Sequence, residues 1–405
     1  MPKPELLAVS DALSRILADA RPLAAEEASL DDSLGRVLTE DLKALRTQPP
    51  ADVSAMDGYA VRATDVEKAP ATLRAIGEVA AGHPFAGKVG PGEAARIFTG
   101  GLLPEGSDTV VIQEIAQRDG DRVTFSRPTA KGRNVRKKGI DFTEGQVLLR
   151  AGRRLLDRDL MVAAAMNYPR VRVHRRPKIA VFGTGDELVP PGSAPKAGEI
   201  IYSNGFALRA LARKEGAETI DLGVIGDTLE AITAAVRKAR EAEADVLVTT
   251  GGASVGEHDL VQRALAAEGM DLAFWRLALR PGRPMLYGRL GGMQVLGLPG
   301  NPVSSYVCSF LFLRPLIRTL AGRADAIPTR EQAILGQDLA ENDEREDYLR
   351  ATLEAGPNGP VANPVPNQDS SLMAPLSAAS CLLIRPPHAP KAATGSPCVI
   401  LKFGL

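Results

Sequence analysis

Aromatic residues are scarce in this 405-residue chain, at 4% with a single tryptophan, Trp275. A stacking platform for single-stranded nucleic acid has little material to draw on. The chain also lacks net charge, since 49 Lys plus Arg cancel 49 Asp plus Glu, so no global field draws it to nucleic acid or anionic lipid. Cysteine is limited to Cys308, Cys381 and Cys398, which are widely spaced, odd in number and without a C-x-x-C pair. This argues against a disulfide framework or zinc knuckle and fits a reducing compartment. The histidines, His83, His174, His258 and His388, are scattered with no paired spacing. No charge-free run approaches the roughly 18 apolar residues of a membrane span, and MPKPELLAVSDALSRIL has no uninterrupted apolar core. The expectation is a cytoplasmic protein with neither nucleic acid nor membrane as partner.

What is present belongs to a folded chain: 44% hydrophobic and 24% charged residues. At roughly 150 residues per domain, the length gives two or three domains. Residues 5 to 20 place Leu6, Val9, Leu13, Ile16, Leu17 and Ala20 on one helical face, and residues 34 to 42 repeat that pattern briefly. From Thr47 to about Gln146, short β-branched runs are cut by Gly and Pro, and residues 153 to 167 return to helix formers. The expected organisation is a discontinuous helical domain, 1–46 plus 147–176, interrupted by a β-rich inserted module, 47–146. After Pro177, apolar strands alternate with helices near 204–215, 229–241, 260–268 and 303–320. That alternation marks a mostly parallel sheet covered on both faces, a central α/β domain over 177–327. The tail, 328–405, reads as a small C-terminal β domain. The fold class is therefore α/β and β multidomain.

In open α/β sheets, ligands bind beyond the carboxyl ends of the strands. Here those ends carry GTGDEL (183 to 188), GDT with Asp227, and TTGGASVGEHD (249 to 259). They deliver Asp186, Glu187, Asp227 and Asp259 to one edge, among glycines that let backbone N–H groups approach a phosphate. Two carboxylates about 4 Å apart repel by roughly 4 kcal/mol at an effective dielectric near 20, so a cation among them is expected. All-oxygen ligands favour Mg²⁺ bridging carboxylates to substrate phosphates. Arg280 and Arg283 in LALRPGRP are expected across the same cleft, facing an oxyanion. The residues alone point to a Mg²⁺-dependent enzyme acting on a phosphorylated or nucleotide-linked substrate.

Structural explanations compete. Asp227 opens D-T-L-E and could cap a helix in a capping box with Glu230, Asp259 could cap the next helix, Asp57-Gly58 is a hairpin-turn dipeptide, and Asp141 could be a loop residue. Other motifs fail outright. GHPFAGKV (82 to 89) lacks the P-loop hydroxyl, and GTGDEL lacks the third glycine of a dinucleotide fingerprint.

Together, SAMDGYA (54 to 60), AAGHPF (80 to 85), RIFTGGLLPEGSDTVV (96 to 111), GRNVRKKGIDF (132 to 142), GTGDEL, TTGGASVGEHD, RPGRP (280 to 284) and GLPGNPVSS (297 to 305) resemble the molybdopterin molybdenumtransferase family, the MoeA-type enzymes that include the E domain of gephyrin. The resemblance implies a four-domain homodimer whose active cleft joins the α/β domain of one subunit to the β module of the other. It also implies a reaction: adenylylated molybdopterin plus molybdate gives molybdenum cofactor and AMP, with Mg²⁺. Carried over by motif, the catalytic carboxylates are Asp57, Asp141, Glu187, Asp227 and Asp259, of which Glu187, Asp227 and Asp259 hold the metal. Thr99, Gly251, Gly252, Ser254, Gly256, Pro299 and Pro302 are substrate contacts. Arg280, Pro281, Arg283, Ser304, Arg350 and Ser371 or its neighbour Ser370 form the oxyanion pocket. Transient contacts with the molybdopterin adenylyltransferase and with molybdoenzyme maturation proteins are expected. Where the family usually has lysines in K-P-G-K-P, this chain has Arg280 and Arg283, and Leu372 stands where a basic residue often follows the serines. The choice between molybdate and tungstate is thereby left open. Two other readings compete: the adenylylating enzyme of the same pathway, whose α/β fold is shared, and a docking scaffold, which would have no use for five retained carboxylates.

Overall fold

A computed structural model describes residues 6–252 and 260–404. The chain divides into two units, one running to Glu26 with Gly35–Thr39 and the residues from Val173 onward, the other comprising Glu27–Leu34 and Glu40–Arg172. The amphipathic N-terminal segment forms helix α1 (Val9–Ala18), in the first unit.

The second unit is built on a six-stranded sheet of β1 (Gly58–Val61), β2 (Ala71–Val79), β3 (Glu93–Ile97), β4 (Thr109–Ile112), β5 (Ala116–Asp119) and β6 (Arg122–Phe125), in the order β4-β1-β3-β2-β6-β5. Only β2 and β3 run parallel. Helix α2 (Asp157–Ala165) follows in the same unit, so the two helices expected in one discontinuous domain fall in different units. Residues 34 to 42, read as a short helix, are not helical. Gly35 takes φ 77°, a left-handed conformation that ends the turn at Asp31–Ser33. Leu38 then bridges Val173 as extended backbone.

In the first unit, β7 (Lys178–Thr184), α3 (Asn204–Lys214), β8 (Glu218–Ile225), α4 (Leu229–Glu241), β9 (Val246–Thr250), α5 (Leu260–Ala267), β10 (Asp271–Trp275), β11 (Leu279–Arg280), β12 (Leu286–Leu290) and β13 (Met293–Leu298) follow in chain order. The sheet order is β8-β7-β9-β13-β12-β10, with the first four strands parallel and the last two paired antiparallel. Side chains alternate between two cores, as a strand buried on both faces requires. Ile179, Val181, Val246 and Val248 join a core with α1, α3 and the helices α6 (Pro302–Cys308) and α7 (Arg314–Leu320). Ala180, Phe182, Leu247 and Val295 join a core with α4 and α5. The apolar face of α1, with Val9, Ala12 and Ile16 buried, is satisfied in the first of these cores.

The tail forms β14 (Glu331–Leu335), β15 (Glu346–Gly356), β16 (Gly359–Pro364), α8 (Met373–Ala378), β17 (Cys381–Arg385) and β18 (Pro397–Lys402). Its strands run β15-β16-β14-β18-β17, and pairing of β15 with β17 closes a small barrel. Strand β11 adds to β15 in parallel. The α/β and β multidomain class is as expected. No helix among the described residues is long and apolar enough to cross a membrane.

Candidate functional site

The parallel strands β7, β9 and β13 end on a cavity of about 520 Å³. Glu187, Gly251, Gly252, Pro299, Pro302 and Ser371, all expected site residues, line it together with Thr184, Tyr202, Asn204, Asn301 and Met373. The glycines are dictated by backbone shape. Gly251 takes φ +87°, and a Cβ there would stand 2.5 Å from the Thr184 carbonyl oxygen. Gly185 takes φ +147°, where a Cβ would stand 2.6 Å from the Glu187 carboxylate. The loops can therefore bring backbone close to a ligand only with glycine at these points. The N-terminus of α3 opens onto the same cavity through Asn204, which favours negative charge there.

Asp186 and Asp227 meet at this edge, the Asp227 backbone N–H donating to the Asp186 carboxylate at 3.0 Å. Partial burial foremost, joined by the charges of Asp186 and Glu187 and opposed by a hydrogen bond from the Asp186 backbone, raises the Asp227 carboxyl above its ordinary value. Among the described residues, the side chains whose charges act on Asp227 are thus both negative. Asp227 is not the cap of α4: Thr228 is, its hydroxyl accepting the Ala231 N–H at 3.2 Å. Among the described residues no three His, Cys, Asp or Glu converge as a metal cage. The carboxylates of Asp186, Glu187 and Asp227 are hard oxygen donors of the kind that Mg²⁺ takes together with water and phosphate oxygens. Ser254, Gly256 and Asp259 lie outside the described residues.

The expected oxyanion residues divide. Ser371 reaches the cavity on a turn that Arg350 holds. Arg350 is 1% exposed. Its guanidinium donates to the carbonyls of Leu372 at 3.0 Å, Asn367 at 3.2 Å and Asp369 at 3.0 Å and to the Gln368 side chain at 3.3 Å. Its donors are thus committed to the turn, and burial lowers its pKa. Arg280, expected to face an oxyanion, does not line the cavity; it pairs with the buried Asp347 and donates to Asp343 at 3.3 Å and Asn342 at 3.0 Å. A strand-edge guanidinium beside two carboxylates takes those partners first. Pro281 and the exposed Arg283 stand off the cavity, which Pro284 lines instead. Ser304 is buried within α6.

In the second unit, Thr99 donates its backbone N–H at 2.7 Å and its hydroxyl at 2.8 Å to one oxygen of Asp57. The Thr99 N–H foremost, then its hydroxyl, holds the Asp57 carboxyl below its usual range. The hairpin-turn reading of Asp57-Gly58 fails, because Gly58 begins β1, paired with β3 and β4. Its lack of a side chain serves close approach: a Cβ would stand 1.9 Å from the Val111 carbonyl oxygen. Asp141 is exposed, its backbone N–H bonded to the Gln48 carbonyl at 3.2 Å.

Three residues escaped the sequence reading. Asn204 donates to the Gly300 carbonyl at 2.7 Å and Asn301 to the Ser370 hydroxyl at 2.9 Å, together fixing the cavity floor. Each stands at a helix start, where a capping role hides any other. Arg276, at the end of β10, takes φ 80° and stacks on Trp275 at 4.4 Å; nothing in its sequence neighbourhood signals that conformation.

Comparison with known proteins decides the family. The chain is 33% identical over 383 residues to the molybdopterin molybdenumtransferase of Haemophilus influenzae, covering 94% of each. The chain belongs to the molybdopterin molybdenumtransferase family. Another member, from Nostoc sp., is 37% identical over 79% of this chain and 75% of its own. Models of the MoeA N-terminal region (domain I and II), of a probable molybdopterin binding domain and of the MoeA C-terminal region (domain IV) match residues 7–167, 180–319 and 332–403. The crystal structure of the molybdopterin biosynthesis MoeA protein from Pyrococcus horikosii superposes with a TM-score of 0.83 at 32% identity, covering 99% of this chain and 100% of that one.

Proposed function

We propose that this member of the molybdopterin molybdenumtransferase family acts in molybdenum cofactor biosynthesis, converting adenylylated molybdopterin and molybdate to molybdenum cofactor and AMP with Mg²⁺. The observation that carries the reading is the meeting, at one sheet edge, of a glycine-built cradle with carboxylates that lack a described counter-cation. Gly251, Gly252 and the α3 N-terminus bind the substrate phosphates. Glu187, Asp227 and Asp259 would hold Mg²⁺, which when bound supplies Lewis-acid polarisation of the phosphoanhydride. Asn204 and Asn301 keep the cavity floor in place, and Arg350 keeps Ser371 at the cavity wall, where the serine can meet a tetrahedral dianion. Asp57, Asp141 and Thr99 serve the same site from the second subunit of a homodimer. The protein works in the cytoplasm, in transient contact with the adenylyltransferase that makes its substrate and with the maturation proteins that receive its product.

The test is to incubate purified protein with adenylylated molybdopterin, molybdate and Mg²⁺ and to follow AMP. Release of AMP in step with cofactor formation is expected. Release of pyrophosphate from ATP and non-adenylylated molybdopterin would instead identify an adenylylating enzyme. With molybdate and tungstate in competition, equal use of both would remove any claim of selectivity.

A further inference from the structure

The sheet-edge cavity has a neighbour. Ser203, Asn204, Pro302 and Met373 line both it and a second pocket of about 360 Å³, enclosed further by Ser305, Tyr306, Leu376 and Phe403. Among the described residues no charged one lines this pocket, so an ion entering it would lose hydration without a partner. Two of its walls are rings, Tyr306 and Phe403 meeting edge-on at 5.6 Å, and a third is the Met373 thioether, surfaces that suit a planar ring. Ser305 is 1% exposed and its hydroxyl has no hydrogen-bond partner among the described residues, a state that native proteins rarely leave unexplained. Around the two pockets, Ile200, Phe206 and Met373 stay exposed at 58%, 52% and 49%, an apolar rim of the kind that marks binding sites.

We propose that this pocket receives a neutral bicyclic heteroaromatic ring, the purine or the pterin end of the nucleotide-linked substrate, while the phosphates occupy the adjoining cavity. The inference rests on the functional reading above. A substrate with ring systems at both ends of a diphosphate needs a ring-sized compartment beside the phosphate cradle. The pocket's volume is within the range of small-ligand sites, and the four shared residues make the two spaces continuous. A change of the Ser305 rotamer toward the pocket would carry its buried hydroxyl to the ring's polar edge and give it the partner it lacks.

The experiment titrates the full-length protein calorimetrically with adenosine and, separately, with 6-hydroxymethylpterin. Ala207→Phe and Ser377→Leu fill the pocket from solvent-facing helix positions that line it, and Ser305→Ala removes the unpaired hydroxyl. Wild type is expected to bind one of the two rings. Adenosine binding would assign the nucleotide end to the pocket and pterin binding the other end, and either supports the proposal. In the filled variants, with melting temperature unchanged, ring affinity falls about tenfold or more, and KM for the adenylylated substrate rises while molybdate dependence stays the same. The proposal is overturned if wild type binds neither ring, or if folded, filled variants bind the ring and turn over substrate within about twofold of wild type. Absence of AMP release by wild type would sink the functional reading, whereas the ring titrations decide the pocket's role independently of turnover.

Discussion

At Asp227, burial and the neighbouring charges of Asp186 and Glu187 raise the carboxyl pKa above its ordinary value. The native state therefore holds this proton more tightly than the unfolded chain does. The stability it contributes is complete below the unfolded value and is lost as pH rises through the folded one. Ionised Asp227 is a cost at neutral pH, which Mg²⁺ would relieve. Asp227→Asn should thus melt higher than wild type in chelator at pH 7, by no more than about 2–4 °C. The difference should vanish near about pH 3, and AMP release should be abolished. A lower melting temperature at neutral pH would contradict the account. Arg350 poses the opposite case, a buried cation whose hydrogen bonds all go to one turn. Arg350→Lys keeps the charge but loses the fork, leaving buried carbonyls unpaired, and should cost on the order of 2–3 kcal/mol in a urea titration. Substrate affinity should fall with it as Ser371 leaves the cavity wall; an unchanged KM would show that the turn does not depend on the guanidinium.

Helices α3 and α7 are tied by charge as well as by apolar contact. Glu215, just past α3, accepts from Arg314 and Arg318 of α7 and from Arg323 beyond it, at 2.8, 2.6 and 2.9 Å, and is almost fully buried. Glu215→Gln would leave those guanidiniums without their shared anion and should destabilise the protein by about 3–5 kcal/mol, whereas a loss under about 1 kcal/mol would mean that water replaces it. Arg323 also draws the Asp325 carboxyl down to about 2. That contribution is complete above the ordinary carboxylate value and is lost as pH falls toward 2, so this junction should loosen only in strong acid.

Helices α3 to α5 were legible because their apolar faces repeat at helical spacing, and the place of the glycine-lined cavity because glycine and acid follow parallel strands. The segment around Gly35 was not, since Val37 and Leu38 satisfy a helical pattern equally well until the left-handed glycine interrupts it. In D-T-L-E either Asp227 or Thr228 could cap, and only the three-dimensional position of each oxygen separates them. Arg280 read as a free cation because its partners, Asn342, Asp343 and Asp347, lie more than sixty residues away in sequence.

For the whole molecule, the two acidic groups stand in different units, Asp57 with Thr99 in one and Asp186 with Asp227 in the other. The proposed dimer makes each active site from the β module of one subunit and the α/β domain of its partner. A homodimer with shared sites lets two inactive variants repair one another, because a hybrid has one site with both native groups. The decisive measurement is AMP release after Asp57→Asn and Asp227→Asn proteins, each inactive alone, are unfolded and refolded together in equal amounts. Recovery of about a quarter of wild-type activity is expected, since half of the dimers are hybrids and each carries one intact site. If the refolded mixture contains hybrid dimers and still releases no AMP, the two acidic groups do not serve one site across the dimer.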